Sequence, residues 1–213
     1  MIVLDGCRVE HGRGGVGAAA WDGLALFSPD DVYRYYLERR FTAIPAVLPL
    51  AGFAAAHGFG LAQTGPLAFQ MLNPSKADAM RNDPTLARQC VIARQLGYRW
   101  TITGNAYGLR SPHPRDLAAA TDPIGPQNDE ALEQIFQLVA KHDGRVCCAW
   151  GAYGPAQERA RAVLRMMLDI VGAARVMALA FNADGSPHHP LRMAAALPTV
   201  WKDAATYARG SVL

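Results

Sequence analysis

Short apolar runs that alternate with amphipathic segments constrain the fold of this 213-residue chain more than any other feature. Four such runs end abruptly in polar residues, at 67–72, 100–103, 146–150 and 175–181. Runs of this length predict buried strands, and strands that alternate with helices predict a parallel sheet. We therefore expect a three-layer α/β/α fold, in which helices cover both faces of a central, mainly parallel sheet of about four strands. One domain spanning 1–213 is expected.

Three of the intervening segments carry helix signals. Asp83 and Pro84 combine a capping side chain with proline at the first helical position, and Gly97 predicts the end of that helix. A second helix is expected from Asn128, and a third over 155–171.

The rest of the chain gives weaker signals. Residues 33–41 place aromatic and apolar side chains at helical spacing and predict a helix. Residues 1–31 are expected to be irregular or to form short strands, the best candidate being 21–27. Residues 42–65 are interpreted as an insertion, either a helical excursion or a lid, and 193–197 as a helix or turn.

Composition limits the class of protein. With 51% hydrophobic and 18% charged residues the chain is globular, and a net charge of +3 permits a polyanionic partner without requiring one. The four cysteines lack metal-ligand spacing, and we expect reduced structural thiols in a cytoplasmic protein without metal or cofactor. Neither a signal peptide nor a membrane span is expected.

Polar residues follow each predicted strand. These are Asn73-Pro74-Ser75, Asn105, Trp150-Gly151 and His188-His189-Pro190. Because the carboxyl ends of parallel strands share one edge, these residues can converge. Amides with an imidazole suit hydrogen bonding to a flat heterocycle better than proton abstraction. Simpler interpretations remain open: Asn73 as a turn cap, Ser75 as a helix cap, and Trp150 as core.

Five sequence blocks resemble a known family. The blocks YRYYLERRF, MLNPSKAD with NDPT, GNAYGLRSPHPRDL with DPIGPQND, AWGAYG and DGSPHHPL are similar to an uncharacterised bacterial and phage family known as domain of unknown function 1643. More distantly, their order resembles the uracil-DNA glycosylase superfamily. There a first motif ends in Asp-Pro or Asn-Pro, a middle motif bears Asn, and a last motif contains His-Pro.

The superfamily resemblance implies roles for individual residues. Asn73 would position a water against the anomeric carbon, Asn105 would bind the edge of an extruded base, and His189 would donate to the base oxygen as the base leaves. The other implied contacts are Leu72, Ser75 and Trp150 to the base, and Lys76, Arg81, Arg110, Arg115 and His188 to the nucleic-acid backbone. A solvated charged surface is the alternative for the cations.

Two departures from the superfamily matter. The cysteines do not match the ligands of its iron–sulfur branch, so no cluster is expected. Asn73 stands where the fastest members carry Asp, and an amide can orient a water but cannot take its proton.

The expected function is recognition of a nucleobase in nucleic acid, DNA rather than RNA, with hydrolysis of the N-glycosidic bond by a monomer, as in DNA repair glycosylases. The alternatives are a hydrolase or transferase that acts on a free nucleotide or modified base, and a non-catalytic nucleic-acid-binding module.

Overall fold

One mixed sheet organises the chain, of which the computed structural model describes residues 2–43, 63–193 and 202–203. Its strands are β1 (Arg8–Gly14), β2 (Trp21–Phe27), β3 (Arg34–Phe41), β4 (Leu67–Met71), β5 (Trp100–Asn105), β6 (Arg145–Cys148), β7 (Val176–Ala178) and β8 (Lys202–Asp203). Their order across the sheet is β1-β2-β3-β5-β4-β6-β7-β8.

The four predicted strands, β4 to β7, do run parallel in the middle of the sheet. An antiparallel meander of β1, β2 and β3 extends it beyond β5, and the two-residue β8 pairs antiparallel with β7. The α/β class is therefore confirmed. The prediction of a mainly parallel sheet of about four strands is wrong, because local patterns did not reveal that the N-terminal segments join the same sheet.

Helices lie on both faces of the sheet. α1 (Pro84–Gln95) packs on one face, and α3 (Asn128–Lys141) and α4 (Gln157–Val171) pack on the other; the short α2 (Arg115–Ala119) lies in the loop after β5. Asp83 caps α1 by accepting a hydrogen bond from the backbone of Leu86 at 2.8 Å, as its sequence signal predicts. None of the helices in the described residues is long and apolar enough to span a bilayer.

The predicted helix over 33–41 is instead the strand β3, which pairs with β2 on one side and β5 on the other. Glu38 and Arg39 are both buried in this strand. These polar side chains hide the pattern of alternating apolar residues by which a strand is recognised in a sequence. The aromatic residues alone then fit a helical period. Pairing on both edges satisfies the backbone of β3 and overrides that local signal.

A β-bulge interrupts β3 near its amino end. Leu26 pairs with Tyr36, whereas Phe27 pairs with Arg34, so Tyr35 is the extra residue. Tyr35 and Tyr36 consequently both pack in the core on the α3–α4 face. The bulge turns Arg34 towards the α1 face, the side on which Leu37 packs.

The meander supports the loop 72–83, which connects β4 to α1. Gly12 and Gly23 are paired in register, and a Cβ on either would lie within 2.3 Å of the backbone oxygen of Ala79, so only glycine permits this approach. Arg39 donates to the backbone oxygen of Asp78 at 2.6 Å. No helix follows Ser75 directly, so its predicted capping role is wrong.

The remaining predictions concern the cysteines of the core and two segments that lie mostly outside the described residues. Cys90, Cys147 and Cys148 are buried, in agreement with their interpretation as small core residues. Most of the predicted insertion at 42–65 and of the predicted helix or turn at 193–197 lies outside the described residues.

Candidate functional site

A cavity of about 530 Å³ lies at the carboxyl edge of the parallel strands, beside the first turns of α1. The chain leaves β4 towards β5 on one side, and β6 lies on the other, so the cavity is at the point where the strand order reverses. Its polar and aromatic lining residues are Arg34, Asn73, Ser75, Asp83, Thr85, Gln89, Thr103, Asn105, Ser111, Trp150, Tyr153, His189 and Arg192.

The structure brings together the three residues that the sequence suggested for the chemistry, since Asn73, Asn105 and His189 all line this cavity. Leu72, Ser75 and Trp150, suggested as base contacts, line it as well. Trp150 is 5% exposed and also belongs to the core on the α3–α4 face, so it joins the cavity wall to the interior.

Asn105 has an unusual environment for a buried amide. The residue is 1% exposed, and neither its side-chain nitrogen nor its side-chain oxygen has a hydrogen-bond partner in the described part of the protein. A buried polar group without partners costs about 1–3 kcal/mol. A donor and an acceptor are therefore unsatisfied in a residue of the cavity wall, and a ligand that supplies the complementary pair would satisfy both.

Neighbouring side chains fix the backbone that carries Asn105. The buried Asn128 donates to the backbone oxygens of Asn105 and Ala106, both at 3.1 Å, and Arg159 donates to Ala106 at 2.8 Å. The backbone of Ala106 also continues the ladder to Met71 at 2.9 Å. The carboxyl end of β5 is thus held from three sides, and the position of Asn105 is defined before any ligand binds.

Asn73 is tied to the loop after β5. Its side-chain nitrogen donates to the backbone oxygen of Ser111 at 2.8 Å and to that of Pro74 at 3.1 Å. The half-buried side chain therefore has a structural role as a bridge between two loops, and its oxygen remains as an acceptor. An acceptor in a fixed orientation is what positioning a water requires.

His189 accepts a hydrogen bond at Nδ1 from the backbone of Leu191 at 3.3 Å, which assigns its proton to Nε2. Burial lowers the pKa of the imidazole, and Arg192 lowers it further, whereas Asp83 acts in the opposite direction. The ring is thus a neutral donor at pH 7. Gly151, at φ +78°, donates to the backbone of Pro187 at 3.0 Å and brings the end of β6 against this loop.

Arg34 also lines the cavity, and no sequence signal pointed to it, because residues 33–41 fitted a helix. The side chain is buried, and its Nη1 donates to the backbone oxygen of Ala77 at 2.6 Å. Burial lowers its pKa to about 10, so the guanidinium is still charged at neutral pH. β3 runs antiparallel to β5, and its amino end therefore reaches the edge where the parallel strands end.

Other polar side chains in the wall were not singled out as cavity residues. Gln89 accepts a hydrogen bond from Thr103 at 2.7 Å, both residues being buried. Asp83 and Arg192 add one negative and one positive charge. Gln89 is a polar residue at helical spacing with the apolar residues of α1, and this local signal could have pointed to the wall of the cavity.

The side chains suggested as contacts to a nucleic-acid backbone do not line the cavity. Lys76 and Arg115 are exposed. Arg81 pairs with Asp78 at 3.1 Å, and Arg110 donates to the backbone of Asp31 at 3.2 Å. His188, also outside the cavity lining, donates its backbone N–H to Ala180 at 2.8 Å. Within the described ranges no cluster of His, Cys, Asp and Glu is arranged to hold a metal ion.

Comparison with known proteins identifies a family but no activity. Residues 57–191 match the family described as "Protein of unknown function (DUF1643)". No curated protein and no solved structure matches the chain. The more distant resemblance to uracil-DNA glycosylases therefore stays a prediction.

Proposed function

This chain belongs to the DUF1643 family, whose description names no activity, and we propose from its cavity that it binds a nucleobase and hydrolyses the N-glycosidic bond. The observation that carries the proposal is the buried Asn105 amide, which presents a donor and an acceptor without protein partners at the cavity wall. Such an amide pairs in bidentate fashion with the edge of a base.

The proposed reaction separates the base from its sugar. Water adds to the anomeric carbon, and the C–N bond breaks with its electron pair passing to the base. Neutral His189 donates from Nε2 to the base oxygen on which negative charge develops. Asn73 orients the water through its side-chain oxygen, which is the acceptor left after its two hydrogen bonds to backbone oxygens.

Asp83 is proposed to accept the proton of that water. Among the described residues of the cavity lining, only Asp83 carries a carboxylate. One of its oxygens already accepts the hydrogen bond that caps α1. The second oxygen remains as a base, a role that the amide of Asn73 cannot fill.

The test measures base release from oligonucleotides that carry uracil, mismatched thymine, hypoxanthine or a modified pyrimidine, and from the corresponding free nucleotides. We expect His189→Ala and Asp83→Asn each to lower the single-turnover rate about 100-fold or more. Asparagine is also a good helix cap, so Asp83→Asn should retain the fold. Undiminished release by either variant would contradict the role given to that residue.

The wild type can also bind a ligand without cleaving it. If the wild type binds a base-containing ligand and Asn105→Ala abolishes that binding, but no substrate is cleaved, then the protein is a non-catalytic module. If none of these ligands binds, the proposal is wrong.

A second candidate, a hydrolase or transferase for free nucleotides, is favoured by the distribution of cations. Two of the side chains suggested for the nucleic-acid backbone, Arg81 and Arg110, are already engaged within the protein. The cavity has its own cations, Arg34 and Arg192. Cleavage of free nucleotides but not of oligonucleotides would select this candidate.

A further inference from the structure

Arg34 differs from the other buried arginine of β3 in how its charge is satisfied. Arg39 donates to Asn82, Glu38, Asp78 and Arg81, and its guanidinium lies 3.8 Å from the ring centroid of Trp21.

Arg34, in contrast, is 3% exposed, and its side chain makes one hydrogen bond in the described part of the chain, from Nη1 to the backbone oxygen of Ala77. Its buried Nε has no partner. None of the ion pairs in the described residues includes Arg34.

A buried cation without an anion is costly, and proteins normally pair it or leave it in water. The backbone geometry places this charge at the cavity, because the bulge at Tyr35 turns Arg34 to the α1 face. Asp83 lines the same cavity and its negative charge attracts that of Arg34, although the two form no ion pair, and Arg192 adds a second positive charge. The lining therefore has an excess of positive charge that a ligand can neutralise.

We propose that Arg34 forms an anion subsite that binds a phosphate group of the ligand. With Nη1 engaged by Ala77, the Nε–Nη2 edge is the side of the guanidinium left for two parallel hydrogen bonds, the geometry that suits phosphate oxygens. The inference rests on the proposed function in one respect, that the phosphate belongs to a nucleotide whose base contacts Asn105. The phosphate is either that of a free nucleotide or a phosphodiester of a nucleic acid.

The test compares ligands that differ only in phosphate. Isothermal titration calorimetry is performed with inorganic phosphate, with each deoxynucleoside, with its 3′- and 5′-monophosphates, and with single-stranded decanucleotides. We expect a phosphate-bearing ligand to bind roughly 10- to 100-fold more tightly than its nucleoside, and Arg34→Met to abolish that difference while leaving nucleoside affinity unchanged. Arg13→Met removes an exposed positive charge on β1 and should leave the difference intact.

The outcomes separate the two proposals. Tight binding of a monophosphate but not of decanucleotides identifies a free nucleotide, and the reverse identifies a nucleic acid. Phosphate binding that requires Arg34, together with no discrimination among bases, supports the subsite and contradicts base recognition. Equal affinity for nucleosides and nucleotides, or a phosphate preference that survives Arg34→Met, overturns the subsite. If Arg34→Met does not fold, Arg34→Lys retains the charge without the fork, and it should weaken phosphate binding but not nucleoside binding.

Discussion

The side-chain nitrogen of Asn73 lies 2.8 Å from the backbone oxygen of Ser111, which joins the loop after β4 to the loop after β5. The backbone of Ser111 returns a hydrogen bond to Pro74 at 2.9 Å. Because both hydrogens of the Asn73 amide face backbone oxygens, the orientation of the amide is fixed, and the same contacts serve the wall of the cavity and the stability of the loops.

Asn73→Asp should therefore destabilise the protein. A carboxylate would face two backbone oxygens without a hydrogen to donate, which costs about 1–3 kcal/mol. This repulsion raises the pKa of the introduced carboxyl above its unfolded value of about 3.9, so protonation restores a donor. The loss in free energy of unfolding relative to wild type should therefore be greatest at pH 7 and should shrink as pH falls towards about 4.

Urea denaturation of the wild type and Asn73→Asp at a series of pH values measures this deficit. Asn73→Ala is the control, because it removes the donor without adding a charge, and its deficit should not vary with pH. A pH-independent deficit for Asn73→Asp would mean that the loops rearrange around the new side chain.

Two buried asparagines should respond oppositely to replacement. Asn105→Leu removes an amide without protein partners, so the free energy of unfolding should stay within about 0.5 kcal/mol of wild type or increase. Asn128→Leu removes the donor to Asn105 and Ala106, and should cost about 1–3 kcal/mol. Chemical denaturation checks both. A loss for Asn105→Leu as large as that for Asn128→Leu would show that Asn105 has a structural role instead.

The two buried arginines of β3 offer a similar comparison. Arg34→Met removes an unpaired buried charge, and we expect unchanged or increased stability. Arg39→Met removes four hydrogen bonds and the contact with Trp21, and we expect a loss of at least about 2 kcal/mol. Thermal and urea unfolding measure both effects. If the two variants are destabilised equally, Arg34 is satisfied within the protein.

His189 should titrate below its ordinary pKa of 6.5, principally because of burial. Arg192→Gln removes a neighbouring positive charge and should raise the pKa, whereas Asp83→Asn should lower it. Ring resonances followed by NMR give these values, and His189→Gln assigns the signal among the six histidines. A midpoint above 6.5 would contradict the description of His189 as a neutral donor.

The same shift has a consequence for stability. Because the pKa of His189 is lower in the folded protein, the unfolded chain binds the proton more readily. The contribution of neutral His189 to the free energy of unfolding is therefore complete above pH 6.5 and is lost as pH falls below that value. Wild type should therefore lose stability relative to His189→Gln on acidification through that range. Parallel pH dependences of the two proteins would contradict this.

Several features were predictable from the sequence because they depend on neighbours in the chain. The capped start of α1 at Asp83 and Pro84 needs only local hydrogen bonds and a fixed φ angle. The four parallel strands were evident as apolar runs, and the common edge of their carboxyl ends brought Asn73, Asn105 and His189 to one cavity.

Only the tertiary structure decided which other residues reach that cavity. β3 became a strand because partners on both edges satisfied its backbone, although its aromatic spacing fitted a helix. A bulge then turned Arg34 to the α1 face, and the antiparallel direction of β3 carried it to the carboxyl edge. A side chain's direction in a sheet depends on register, and register is set by pairing between segments that are distant in the chain.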